Sequence, residues 1–347
     1  MTEINIISGF LGAGKTTLIK KLLEEVFKGE KIVLIENEFG EIGIDGGFLK
    51  DAGIQVNEMN SGCICCSLVG DFGEALKQVL ETYEPDRILI EPSGVGKLSD
   101  VAKAVESVSA HMDVRIDSAI TVVDAKKCKM YMKNFGEFFL NQVEHAGTIV
   151  LSRTQGVSDE KLEECVAMLK EHNDKATLIT TPWDQLKGEQ ILAAMQHAEL
   201  DMHEHHHDHE HEHHHHDHHH HDHECGCGCH DHHHHHECGC GHDHDHHHHH
   251  GHHHHHADEV FTSWGAETVH KYTEEEIAEI LKKLDEGAYG TVLRAKGIVA
   301  AADGSWLEFD HVPEESEVRK GSPDYTGRLC VIGAELKEAE LKELFHV

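Results

Sequence analysis

The run Gly9-Phe10-Leu11-Gly12-Ala13-Gly14-Lys15-Thr16 constrains the fold more than any other stretch of the chain. It reads G-x-x-x-x-G-K-[ST]. It stands between an apolar run, Ile4–Ser8, and an amphipathic pattern carrying Leu18, Ile19, Leu22, Leu23 and Val26. Glycines let the backbone curl until successive N–H groups face one point, and the helix that follows adds the positive end of its dipole. A strand, this loop and a helix in succession build a parallel sheet with helices on both faces. The motif predicts a nucleoside-triphosphate site. Gly9, Gly12, Ala13, Gly14 and Thr17 frame the phosphates, Lys15 reaches the β- and γ-phosphates, and Thr16 ligates Mg²⁺.

Further strands are predicted at Lys31–Ile35, Arg87–Ile90, Ala119–Val123, Thr148–Leu151 and Thr177–Ile179, separated by helical patterns such as Phe72, Leu76, Val79 and Leu80. The apolar strand Arg87-Ile88-Leu89-Ile90 runs into Glu91-Pro92-Ser93-Gly94. An acid at such a strand end holds the magnesium shell, and the glycine after it senses the γ-phosphate. Glu91 and Gly94 therefore join Lys15 and Thr16 as candidate catalytic residues. The fold class is α/β: a P-loop NTPase with a mostly parallel sheet, over residues 1–200. A small α+β domain follows over 258–347. Its helical patterns run from Thr273 to Asp285 and from Glu335 to Phe345, and its strands are expected at Thr291–Val299, Trp306–Phe309 and Arg328–Ile332.

Charge removes some function classes. With 30 Lys and Arg against 64 Asp and Glu, the net charge of −34 repels phosphate backbones, so no nucleic-acid partner is expected. No apolar run is long enough for a bilayer and no basic flank precedes a cleavage site, which predicts a cytoplasmic protein without membrane partners. In that setting the 11 Cys read as metal ligands or reactive thiols.

Of the 40 His, 33 fall between His203 and His256, among 11 acids, 5 Cys and 5 Gly, with no aliphatic side chain. Such a segment cannot bury enough apolar surface to offset chain entropy, so residues 201–257 are expected to be a disordered insert. Imidazole suits Zn²⁺, Ni²⁺, Cu²⁺ and Co²⁺, and Cys225, Cys227, Cys229, Cys238 and Cys240 add softer donors. The expectation is a metal-binding insert, with a plain linker as the alternative. A second cluster, Gly62-Cys63-Ile64-Cys65-Cys66, packs three thiols into four positions. Soft metal ligation explains it, beside the alternatives of a packed cysteine cluster and a redox pair. Upstream lies Ile35-Glu36-Asn37-Glu38-Phe39-Gly40-Glu41, whose acids could serve either metal or solvent.

Together these motifs resemble the CobW-type family of P-loop GTPases, relatives of the urease and hydrogenase nickel-insertion GTPases. The resemblance rests on GFLGAGKTT at Gly9–Thr17, IENEFGEIGID at Ile35–Asp45, GCICC at Gly62–Cys66 and the Glu91 strand end. VLRAKG at Val292–Gly297 and RLCVIG at Arg328–Gly333 extend it to the C-terminal domain. It implies a GTPase that carries a transition metal and releases it to a client metalloprotein according to nucleotide state. Cys63, Cys65 and Cys66 would form the metal motif with Glu36, and zinc is favoured over nickel or cobalt. Where the family reads guanine with N-K-x-D, this chain has Ser152-Arg153-Thr154-Gln155. Gln155 offers a neutral amide in place of a carboxylate, which leaves GTP and ATP both open as substrates. No residue identifies itself as base for the attacking water, so slow intrinsic turnover is expected. A metal store with a regulatory nucleotide site is the competing function. The sequence names no client and no oligomeric state.

Overall fold

A computed structural model describes residues 1–37, 55–59, 69–196 and 257–347. These residues group into one compact unit. Two sheets organise it.

The first has strands β1 (Thr2–Gly9), β2 (Ile32–Asn37), β3 (Gln55–Met59), β4 (Arg87–Glu91), β5 (Val114–Asp124), β6 (Thr148–Ser152) and β7 (Thr177–Ile179). Their order is β3-β2-β4-β1-β5-β6-β7, and every pairing is parallel. Ile4, Ile6 and Ile7 of β1 are completely buried, as a central strand covered by helices on both faces demands. The helix α1 (Lys15–Glu25) opens directly after the loop that follows β1. Parallel pairing brings the carboxyl ends of the strands to one edge. Glu36 of β2 stands level with Glu91 of β4, and Asp124 of β5 with Ser152 of β6. Ligands of open α/β sheets bind outside this edge.

The second sheet is antiparallel, with strands β8 (Thr262–Thr268), β9 (Thr291–Ala300), β10 (Trp306–Val312), β11 (Glu315–Gly321) and β12 (Gly327–Ala334) in the order β11-β10-β9-β12-β8. Two helices, Glu274–Leu284 and Glu338–Phe345, cover one face. The first is opened by a capping box, Thr273 accepting from the Glu276 N–H and Glu276 reaching back. Along β12 the side chains alternate, as the pleat requires. Leu329 and Val331 join the helices, whereas Cys330 and Ile332 join the core of the first sheet. Phe261, just before β8, lies 6.3 Å from Phe10, 5.5 Å from Phe135 and 5.0 Å from Phe138, ring centre to ring centre. The two sheets thus share one apolar core, and its aromatic knot includes a residue of the phosphate loop.

The six strands expected in the first sheet are all present, and β3 is added at its edge. In the second sheet β8 and β11 are additional. Cys128 and Cys165 are buried with their thiols against one another. Among the described residues no helix is long and apolar enough to cross a membrane.

Candidate functional site

The loop after β1 is shaped by its glycines. Gly9 has φ +146°, and a Cβ there would lie 2.4 Å from the carbonyl oxygen of Val122. Gly12 has φ +69° and abuts Val312 of the second sheet, where a Cβ would meet Cγ1 at 2.3 Å. Both conditions, left-handed backbone and contact without a side chain, admit only glycine. Gly14 precedes α1 at φ 101°, no side chain caps the helix, and its first turn has no acid. The positive end of the helix is therefore directed into the loop. Ala13 and Lys15 are buried, and Thr17 is exposed on the helix surface.

Thr16 ties the loop to β4. Its hydroxyl donates to the Glu91 carboxylate, 2.9 Å from Oε1 and 3.2 Å from Oε2. Gly94 approaches the loop from the same side, with a Cβ position only 2.8 Å from the Leu11 nitrogen. The fully buried Gln142 fixes this turn, its amide donating to the carbonyls of Gly94 at 3.2 Å and Gly96 at 2.8 Å. Gln142 belongs to a helix, Gly136–Glu144, that reads in the sequence as ordinary core, and no motif points to it.

At the other end of the site Ser152 is buried at the end of β6, and Arg153 takes a left-handed φ of 55°. The Arg153 guanidinium donates to the Gly12 carbonyl at 2.7 Å and pairs with Asp124 at 3.3 Å and Glu315 at 2.9 Å. One side chain thus joins the phosphate loop, β5, β6 and the β10–β11 hairpin. Asp124 is 2% exposed and also accepts from the Lys126 N–H at 2.8 Å. Lys127, next in the chain, is half-buried and its ammonium has no hydrogen-bond partner among the described residues. Burial pushes its pKa down. Gln155 is exposed, and its amide donates to Asp184 Oδ1 at 3.3 Å. The neighbouring Trp183 donates from its indole to the Leu151 carbonyl at 2.9 Å. Its ring lies 3.3 Å from where a Cβ on Gly14 would be.

For the metal residues the described part holds less. Glu36 is buried at 4% exposure, level with Glu91 on one side and with Glu58 of β3 on the other. Cys63, Cys65, Cys66 and the insert residues Cys225, Cys227, Cys229, Cys238 and Cys240 lie outside the described residues. Among the described residues no three His, Cys, Asp or Glu converge as a metal site.

A glycine-framed loop between a parallel strand and a helix, with lysine, threonine and an acid from the adjacent strand, defines a P-loop nucleotide-binding protein. Residues 3–180 match the model described as "CobW/HypB/UreG, nucleotide-binding domain", and 261–347 match "Cobalamin synthesis protein cobW C-terminal domain". The chain belongs to the CobW/HypB/UreG family.

It is 31% identical over 203 residues to the zinc chaperone YeiR of Escherichia coli strain K12, covering 58% of each chain. To the zinc chaperone CobW of Sinorhizobium sp it is 40% identical over 127 residues, covering 35% of this chain and 36% of that one. To the zinc chaperone YjiA of Escherichia coli strain K12 it is 34% identical over 176 residues, covering 48% and 54%. The chain thus spans about half the length of the curated relatives it matches. The crystal structure of Zn(II)-bound YjiA GTPase from E. coli aligns over 99% of this chain and 98% of that one, at 21% identity and a TM-score of 0.41.

Proposed function

We propose that the protein is a GTP-hydrolysing metallochaperone that carries a transition metal, zinc before nickel or cobalt, and yields it to a client metalloprotein under nucleotide control. The observation that carries this reading is the register of β2 and β4. Glu91, hydrogen-bonded to Thr16 at the triphosphate end, stands level with Glu36, the carboxylate that the family resemblance assigns to the metal. Adjacent parallel strands are about 4.8 Å apart, so a rearrangement of either strand end is felt at the other. The zinc-chaperone names of the relatives support the choice of cargo.

Thr16 and Glu91 bring a hydroxyl and a carboxylate together, a set of hard oxygen donors that suits Mg²⁺. They would hold that ion, which when bound neutralises charge on the β- and γ-phosphates. Lys15 would position the same phosphates, and Gly94, braced by Gln142, would register the γ-phosphate through its backbone. With no general base assigned, turnover rests on positioning and is slow. The histidine insert would serve as a reservoir that raises metal concentration near Cys63, Cys65 and Cys66.

GTP and ATP hydrolysis by the full chain, with and without stoichiometric Zn²⁺, Ni²⁺ or Co²⁺, tests the reading beside a Cys65→Ala/Cys66→Ala variant. Metal-stimulated GTP turnover that vanishes with the cysteines is expected, and turnover indifferent to both overturns the coupling. The 33 His of the insert favour a second reading, a metal store with a regulatory nucleotide site. Deleting 203–256 separates the two. A chaperone retains its high-affinity metal and its stimulated hydrolysis, and a store loses nearly all metal binding.

A further inference from the structure

Guanine and adenine differ along one edge. Guanine presents two donors there, N1–H and the N2 amino group, and a carboxylate accepts from both. Adenine presents an acceptor at N1 and repels the same carboxylate. The loop after β6 is where the N-K-x-D pattern would supply the acid, and this chain supplies Gln155.

The fold supplies a carboxylate at the same place from a different strand. Asp184 lies in the short turn Trp183–Gln185 after β7, the parallel neighbour of β6. Gln155 donates to its Oδ1 at 3.3 Å. The turn is fixed on three sides. The Trp183 indole holds the Leu151 carbonyl of β6, the Trp183 ring packs against Gly14 of the phosphate loop, and the Gln185 N–H bonds the Pro182 carbonyl at 3.0 Å. Asp184 is thus one residue from a side chain that touches the phosphate loop. It is exposed, and among the described residues no cation pairs with it. A carboxylate whose side-chain partner among the described residues is Gln155, on a turn anchored to the loop that frames phosphate, retains acceptor capacity for a base.

We propose that Asp184 is the purine-reading carboxylate of this protein, supplying from the β7 turn the charge that Gln155 lacks and selecting guanine over adenine. Gln155 orients it through the amide. The assignment rests on the P-loop reading of Gly9–Thr16 and adds to it the specificity of the site.

The test is displacement of a fluorescent N-methylanthraniloyl GDP from the full-length protein by GTP, XTP and ATP, with circular dichroism confirming that each variant is folded. Wild type should favour GTP over ATP by at least about tenfold. Asp184→Asn should lose about ten- to a hundredfold in GTP affinity, the range of one good bidentate base contact. It should also gain on XTP relative to GTP, because xanthine carries an acceptor where guanine carries the N2 donor and the asparagine amide can donate to it. Adding Gln155→Asp to Asp184→Asn should restore GTP. Unchanged GTP affinity in Asp184→Asn, or equal affinity of wild type for GTP and ATP, overturns the assignment while Lys15→Ala still abolishes binding. If Lys15→Ala binds as wild type does, or wild type binds no nucleotide, the P-loop reading fails and the assignment falls with it.

Discussion

The two edges of the parallel sheet each bury a cation, and they use it differently. At the amino edge Arg87, 5% exposed, is enclosed by protein acceptors. Its guanidinium reaches Glu3 at 2.5 Å, Glu30 at 2.7 Å, Asp117 at 3.4 Å and Asn5 Oδ1 at 2.5 Å, with the Phe27 ring 4.4 Å from its centre. The planar fork of arginine is matched by acceptors all round, as a buried structural charge requires. At the carboxyl edge Lys15, 6% exposed, sits at the start of a helix that no side chain caps, in a loop of glycines. Similar burial thus occurs in two settings. Arg87 is enclosed by carboxylates away from the phosphate loop, whereas Lys15 lies within the loop to which the proposed function assigns the triphosphate.

The sharpest way to break this contrast is to remove each cation. Arg87→Ala should destabilise the protein by about 3–5 kcal/mol, because it strands carboxylates at a buried position. Urea unfolding measures this, and nucleotide affinity of the folded protein should stay within twofold of wild type. Lys15→Ala should do the reverse. Triphosphate affinity falls at least a hundredfold, about 3 kcal/mol, while the unfolding midpoint without nucleotide moves less than in Arg87→Ala. A stability loss in Lys15→Ala comparable to that in Arg87→Ala would erase the distinction.

Gly12 joins the two properties. Gly12→Ala adds a left-handed penalty of about 1–2 kcal/mol to an overlap with Val312. Combining it with Val312→Ala should recover the overlap part and leave the backbone part, a difference readable in a double-mutant cycle of unfolding free energies.

The smallest expected effect concerns pH at the amino edge. The hydrogen bond from Arg115, together with the charge of Arg87, holds the Glu3 carboxyl below its ordinary value. A depressed carboxylate adds stability above the ordinary value of about 4.3 and loses it as pH falls through the lower folded value. In Arg115→Ala the acid-side loss of stability should be smaller and should be complete at a higher pH than in the wild type. Because Arg115 is half-exposed, the shift should shrink in high salt.

How much of this the sequence discloses depends on whether the pieces are contiguous. The phosphate loop is legible because eight neighbouring residues and their flanking periodicities carry it. The Arg87 cluster is not, since Glu3 and Asn5 lie 84 and 82 residues away from it. The same holds for Gln155 and Asp184, 29 residues apart and joined only by the pairing of β6 with β7. The three strands that periodicity misses, β3, β8 and β11, share one trait: each is an edge strand. Edge strands bury little and carry polar side chains, as Glu315-Ser316-Glu317-Val318-Arg319-Lys320-Gly321 does, so the apolar run that betrays an interior strand is missing. Glu36 stood out as a candidate from its motif, but its place beside Glu91 is a matter of register that only strand pairing fixes.

The aromatic knot of Phe10, Phe135, Phe138 and Phe261 has a consequence for the life of the molecule in a proteolytic environment. A cut ahead of Ala257 that released the second sheet would strip Phe261 from this knot. It would turn the rings beneath the phosphate loop toward water, a greasy surface of the kind that chaperones and proteases recognise. The amino-terminal half is thus certified by the carboxyl-terminal half. A chain that has lost its tail advertises the loss at the loop where phosphate would bind.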